Sequence, residues 1–386
     1  MEGKKELQTA EPTNLRQNLR QWLQVLMLVY FLIAAVSVIG SGFKATTEGD
    51  AEKLFSFATN PFLGLMVGIL GTSMIQSSST VTSIIVGLVA GGLPISIAIP
   101  MIMGANLGTS VTNTLVSLGY VGDSSGFNRA FAAATVLDFF NLTAVLILFP
   151  IELLFHPLEM TSHQLAQWMA GELSLNVTGL NPVPPLVYPV VALIQSTTSL
   201  LPGIFPGLTQ IFLGISAIIT VIMLLGRILK QLMIGKARAI LQTMLGRGPL
   251  SGIAAGALIT MMVQSSSTTT SLMIPFAGTG VIGMRQIYPF TLGANIGTCV
   301  TALLAATAFT GVESRPALEI ALVHLLFNAA GVALVYGIPF LRNIPVESAT
   351  WISNLASQQK GLAFAYVAGV FFLAPGLLLG CSWLLN

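Results

Sequence analysis

The chain alternates long apolar runs with short polar interruptions, and two of these interruptions fall inside apolar sequence. QSSSTVTS, Gln76 to Ser83, lies between FLGLMVGILGTSMI and IIVGLVAGGL, and QSSSTTTS, Gln264 to Ser271, between GIAAGALITMMV and LMIPFAGTGVIG. Each octet sits midway in one apolar stretch, 62–93 or 250–282. A helix of ~14 residues rises ~21 Å, about two-thirds of a bilayer's hydrocarbon core. Each stretch therefore predicts a re-entrant helical hairpin with the polar octet at its tip. Broken backbone at that depth is tolerated only where protein buries it or it lines a wet cavity. Ordinary crossings are predicted at 22–43, 97–118, 129–150 and 204–226, with a last apolar segment at 361–385. The stretch 186–203, with Pro189 and Pro202, reads as interfacial or re-entrant.

The pattern also repeats. GANLGTSVT at 104–112 recurs as GANIGTCVT at 293–301, and FFN ending at Asn141 recurs as LFN ending at Asn328. Three landmarks in one order predict a duplicated unit, roughly 60–150 and 250–342. The expected organisation is a cytoplasmic N-terminal tail (1–20), a first transmembrane helix with repeat one (21–150), and an external loop with an interfacial segment (151–203). A linking helix and a basic cytoplasmic loop (204–248) lead to repeat two (249–342), then to a C-terminal amphipathic segment and helix (343–386).

Composition fixes the class. Of 386 residues, 54% are hydrophobic and 8% charged, against about a quarter charged in soluble domains. The chain reads as an all-α polytopic membrane protein. A net charge of +2 says nothing about nucleic acid, but the lack of a basic, aromatic-interleaved patch argues against a nucleic-acid partner. Cys299 and Cys381 fit no metal spacing and no disulfide framework.

Charge orients the pattern. Residues 227–248 carry Arg227, Lys230, Lys236, Arg238 and Arg247 and no acid, which makes that loop cytoplasmic. Residues 151–186 carry Glu152, Glu159 and Glu172 and no Lys or Arg, which makes it external. The tail, with Lys4, Lys5, Arg16 and Arg20 against three Glu, leans cytoplasmic. Counting crossings, hairpin one enters from outside and hairpin two from the cytoplasm. The repeats run antiparallel, a pattern of secondary transporters whose broken helices meet at the midplane.

The chemistry follows from the tips. Ser and Thr can simply hold membrane helices together, but that accounts poorly for Gln, three Ser and Thr twice at matching depth. They are also good N-caps, and a helix N-terminus favours an anion. Two inverted tips would aim hydroxyls, backbone N–H groups and two amides at one point. Between Lys53 and Arg227 the only basic residue is Arg129, and hairpin two has none before Arg285. An anion held there lacks a basic partner, and an uncompensated buried charge is costly. Bound cations, sodium above all because oxygen ligands abound, would balance it. Asn106, Thr109 and Asn113 fall on one helix face, and Asn295, Thr298 and Thr301 form the counterpart, with small-residue helix packing as the competing reading. Asp138 is the one acid mid-crossing, functional by default, with Asn141 one turn on. His324 reads as a core histidine.

These motifs resemble the type II sodium–phosphate cotransporters: paired QSSS, two GAN-x-GT segments and ATVLDFFN. The resemblance covers both repeats, and the short tails and external loop resemble a bacterial member, in the cell membrane with a cytoplasmic N-terminus. It implies electrogenic import of inorganic phosphate with co-transported sodium and no organic cofactor. It carries phosphate contacts onto Gln76, Ser77, Ser78, Ser79 and Thr80 and onto Gln264, Ser265, Ser266, Ser267 and Thr268. It carries sodium contacts onto Gln264, Ser265, Thr298 and Thr301, and electrogenicity onto Ala132, Ala134 and Asp138. Leu137 departs from the pattern, since vertebrate members typically have His there. Expected partners are phosphate, sodium, the lipid bilayer and, as an open expectation, a second copy of the chain. The alternatives are a sodium-coupled carrier of another oxyanion or small carboxylate, a channel, or an intramembrane serine hydrolase. The hydrolase lacks a Ser-x-x-Lys or Gly-x-Ser-x-Gly and a base beside the serines, so no enzyme is expected.

Overall fold

A computed structural model describes residues 15–47, 60–177, 183–244 and 247–385. The tail at 1–14 and the segments 48–59 and 178–182 lie outside the described residues, as do the side chains of Arg16, Glu172 and Arg238. The described chain is all helical. Its elements are α1 (Leu15–Thr47), α2 (Pro61–Ile75), α3 (Ser78–Ala90), α4 (Ile95–Gly108), α5 (Val111–Ser117), α6 (Ser124–Phe155), α7 (Pro157–Val177), α8 (Val183–Thr198) and α9 (Phe205–Met244). There follow α10 (Pro249–Val263), α11 (Ser266–Ser271), α12 (Met273–Gly278), α13 (Met284–Ala306), α14 (Ser314–Gly331), α15 (Pro339–Gln358), α16 (Gly361–Ala368) and α17 (Ala374–Leu385). Among the described residues, seven helical stretches are long and apolar enough to cross a membrane, from Asn18–Thr47 to Gly361–Ser382. The helices α2, α3 and α10 are apolar but only 13–15 residues long, about 20–22 Å, short of a ~30 Å core.

The two short pairs fold alike. Pro61 and Pro249 open α2 and α10 at the first helical position, where a missing N–H costs nothing. Both helices end on a glutamine in the left-handed region, Gln76 (φ 56°) and Gln264 (φ 54°). A serine in extended conformation (φ −152° at both Ser77 and Ser265) then starts the next helix. Each first limb lies backbone to backbone on the helix that carries its GAN segment. A Cβ at Gly68 would strike the Met101 carbonyl and one at Gly104 the Leu65 carbonyl; at Gly256 and Gly293 it would strike those of Phe290 and Ile253. Small residues allow this approach between membrane helices. The second limbs differ. The first is one helix, α3, whereas the second breaks at Leu272 into α11 and α12. Pro275 has no N–H for the Ser271 carbonyl, and its ring crowds that carbonyl.

Long α6 ties the two units together. Asp123 caps its start by accepting from the Ser125 N–H at 3.1 Å, and hydrogen bonds from Gly126 and Ser125 hold this exposed carboxylate below its usual range. Near that start the Arg129 guanidinium donates to the Gly278 carbonyl, at the end of α12, at 2.7 and 3.1 Å. Near its other end the Phe149 ring meets Phe62 of α2 edge-on, with centroids 5.2 Å apart. Elsewhere α1 packs along α9 where Gly42 and Gly207 meet.

Two expected loops are helical instead. The linking helix continues through 227–244 as α9, because that basic stretch contains no proline and keeps a mostly helix-favouring composition. Most of 157–198 forms α7 and α8, although 151–186 reads as a loop; the segment read as interfacial or re-entrant, 186–203, falls largely in α8. The carboxylate of Glu152 accepts the N–H groups of Leu158 and Glu159 at 2.7 and 3.0 Å and so caps α7. The GAN face is also interrupted: α4 ends at Gly108 and α5 begins at Val111, so Asn113 is not on a continuous helix with Asn106.

Candidate functional site

Both serine motifs face one cavity. It encloses about 350 Å³ and is lined by Ile75 to Ser79, by Gln264 to Thr268, and by Ile222, Met223, Gly226, Arg227 and Lys230 of α9. At ~30 Å³ per water, that volume admits an anion with part of its hydration shell. The lining holds two helix N-termini. Ser77 Oγ accepts the Thr80 N–H at 3.2 Å, and Ser265 Oγ accepts the Thr268 N–H at 3.2 Å. The remaining first-turn N–H groups, on Ser78, Ser79, Ser266 and Ser267, have no acceptor among the described residues. Each N-terminus carries a partial charge near +0.5, so the two tips together offer about one elementary positive charge plus hydroxyl donors. Ser78, Ser79, Thr80 and Ser266 are buried; Ser77, Gln264, Ser265, Ser267 and Thr268 are half-buried, and Gln76 is exposed.

The wall of α9 corrects one inference. Sequence spacing placed no basic residue beside the motifs, yet Arg227 and Lys230 line their cavity. Arg227 lies 148 positions after Ser79 in the chain, and it arrives because α9 packs across both tips. An anion here does not depend on bound cations alone.

The expected cation ligands do not gather in one cluster. Gln264 Oε1 accepts the Thr301 hydroxyl at 2.8 Å, beside Ser265 at the cavity. A second group is a buried amide network. Asn295 Nδ2 donates to Asn141 Oδ1 at 2.9 Å, and Asn328 Nδ2 to Asn106 Oδ1 at 3.1 Å; Asn141 Nδ2 donates to the Asn106 carbonyl at 2.7 Å. The first two bonds each join a GAN asparagine of one unit to the FFN or LFN asparagine of the other, and the third lies within the first unit. Asn113 stands apart and accepts from Thr270 at 2.9 Å and Ser271 at 3.0 Å. Thr109 and Thr298 return their hydroxyls to their own helix, on Ala105 and Ala294. Asp138 is buried against Tyr366, whose hydroxyl donates to Oδ2 at 3.0 Å, and the hydroxyls of Ser110 and Thr114 lie beside the same carboxylate.

Asn328, Tyr366 and the pair Arg227 and Lys230 escaped the candidate set drawn from sequence. Asn328 was visible as the end of LFN, and the repeat alone could have promoted it beside Asn141. Tyr366 lies 228 positions from Asp138 in an unremarkable apolar segment, and nothing local marks it. His324 is buried, and neither of its ring nitrogens has a partner among the described residues.

The Na+/Pi-cotransporter family matches residues 31–182 and 217–344, which takes in both serine motifs, both GAN segments and all four asparagines of the network. The chain belongs to the Na+/Pi-cotransporter family. This is a family of transporters rather than of enzymes, and of multi-pass membrane proteins, in keeping with the seven candidate spans. The chain is 32% identical over 454 residues to human sodium-dependent phosphate transport protein 2B, covering 95% of this chain and 66% of that protein. It is 33% identical over 433 residues to rat sodium-dependent phosphate transport protein 2A, covering 93% of this chain and 67% of that protein. The sheep 2A protein is 32% identical over 429 residues, at 93% and 67%. The chain thus spans about two-thirds of the length of these mammalian relatives. No solved structure matches this chain.

Proposed function

We propose that this chain is a sodium-coupled secondary transporter that imports inorganic phosphate, binding it between the two serine tips. One observation carries the reading: the two short helix pairs share a cavity at their tips while their open ends lie at opposite ends of α6. Gly278 of the second pair sits by Arg129, and Phe62 of the first sits by Phe149. Those contacts are 20 residues apart on α6, about 30 Å, which is the thickness of a hydrocarbon core. This supports inverted repeats, each with a re-entrant hairpin that enters from its own side of the membrane. The reciprocal Asn141–Asn295 and Asn328–Asn106 pairs fit a two-fold relation between them.

Phosphate is taken as the substrate because the tips offer donors and no acid, and because the relatives' names specify sodium-dependent phosphate transport. Gln76 to Thr80 and Gln264 to Thr268 hold it. Sodium is assigned to oxygen ligands in two main places: Gln264, Ser265, Thr298 and Thr301 near the cavity, and Asn106, Thr109, Asn141 and Asn295 around the amide network, with Asn113, bonded to Thr270 and Ser271, as a separate candidate. Asp138 sets the charge moved per cycle and makes the import electrogenic. The acid-free, basic end of α9 puts that end and the N-terminus in the cytoplasm. The domain boundaries read from sequence, a bacterial cell membrane as the setting and pairing of two copies remain parts of this proposal.

The test is radiolabelled phosphate uptake into sealed liposomes with and without an inward sodium gradient. Sodium-driven, saturable uptake is expected, with sulfate, arsenate and dicarboxylates as weak competitors. Equal uptake without sodium refutes the coupling, and stronger competition by a dicarboxylate reassigns the substrate.

A further inference from the structure

Arg227 and Lys230 stand three positions apart on α9, on one face, and both line the tip cavity. Both side chains are exposed. Neither makes an ion pair or a side-chain hydrogen bond among the described residues, although a carboxylate partner is the usual fate of such a side chain. The cavity lining contains no Asp or Glu and no basic residue from another element. The formal positive charge in this cavity is therefore one-sided, and it comes from the element whose end is the basic one.

We propose that Arg227 and Lys230 form an anion-docking step at the cytoplasmic mouth of the tip cavity, exchanging phosphate between the cytoplasm and the serine tips. The inference rests on the phosphate reading of those tips and adds to it a residue pair and a direction. Two unpaired cations within one helical turn repel each other, and an anion carrying two charges relieves that repulsion as it arrives. Fixed charge lining a cleft concentrates the opposite ion and raises its encounter rate, with a strong dependence on ionic strength. The donors of the tips then take over from the cations, because neutral dipoles bind the anion without trapping it. The competing explanation is that these residues only orient the helix in the membrane. Lys236 serves that end equally well: it is exposed on the same acid-free stretch but does not line the cavity.

The experiment compares right-side-out and inside-out vesicles from cells expressing the full chain. The phosphate KM is measured at each face at fixed sodium while choline chloride is raised. In the R227Q/K230Q variant the cytoplasmic-face KM should rise roughly tenfold, the lower end of what focused charge contributes to encounter, and should lose most of its dependence on choline chloride. The KM at the other face should hold its wild-type value. R227K/K230R, which keeps both charges, should restore the cytoplasmic KM, and K236Q should match the wild type. An unchanged KM in R227Q/K230Q, an equal rise at both faces, or the same rise in K236Q overturns the docking role. A wild type without sodium-dependent phosphate transport in either vesicle overturns the transporter reading itself. A wild type that transports beside an unaffected double variant overturns the docking step alone.

Discussion

Replacing Asp138 with glycine should remove one unit of charge movement from each transport cycle while leaving phosphate transport measurable. The carboxylate is buried, receives a hydrogen bond from Tyr366 at 3.0 Å on Oδ2, and has the Ser110 and Thr114 hydroxyls beside it. No Arg or Lys pairs with it among the described residues. A carboxylate at mid-helix costs at least ~2.5–3.5 kcal/mol on insertion scales, and one held only by neutral hydroxyls invites a cation to offset that cost. If sodium supplies it, the loaded site is neutral and the sodium that neutralises it drops out of the variant's cycle. One net charge crossing 100 mV is worth ~2.3 kcal/mol, so losing it reduces the phosphate gradient the carrier can hold at that potential by about 50-fold. Glycine also weakens the helix by ~1 kcal/mol, so Asp138→Asn serves as the companion that keeps helix propensity and a partner for Tyr366. The assay records phosphate-induced current and isotope uptake in the same membranes. Both variants should show a ratio of charge to phosphate near zero, and Tyr366→Phe should keep the wild-type ratio while altering the apparent affinity for sodium. An unchanged ratio in an active Asp138 variant would show that the carboxylate is structural.

Ser78→Ala and Ser267→Ala should each greatly reduce phosphate uptake without unfolding the protein, since a hydrogen bond to a charged group contributes ~1.5–3 kcal/mol; wild-type uptake kinetics would return these hydroxyls to helix packing. In a background lacking Cys299 and Cys381, Ser96→Cys should react with an impermeant thiol reagent from outside and Gly283→Cys only from the cytoplasm. Both sites are exposed, and Ser96 is preferred to Gly92, whose φ of +115° suits no side chain; labelling of both from one face would contradict inverted repeats. Gly256→Ala should lower the melting temperature in detergent, because its Cβ meets the Phe290 carbonyl and overpacking costs ~1–3 kcal/mol; an unshifted melt would mean that α10 and α13 separate freely.

Much of this protein was legible in its sequence because the relevant signals are local. Hydropathy over windows of about 20 residues measures transfer into lipid directly, and it located most of the spans without reference to their neighbours. The QSSS octets betrayed their breaks because polar residues amid apolar ones have few stable placements at membrane depth, and the left-handed Gln76 and Gln264 stand where those breaks were expected. Repetition marked Asn106 with Asn295, and Asn141 with Asn328. What needed the tertiary structure was every relation between distant segments. Positive-inside counting assigns Arg227 and Lys230 to a side of the membrane but not to a cavity, because a charge's distance from a site depends on how α9 packs across the tips. Tyr366 reaches Asp138 through packing of the C-terminal segment against α6, and no local pattern records that contact. The cation candidates scatter for the same reason. A shared helix face is a property of sequence, but a shared coordination sphere is fixed by the angles at which several helices cross.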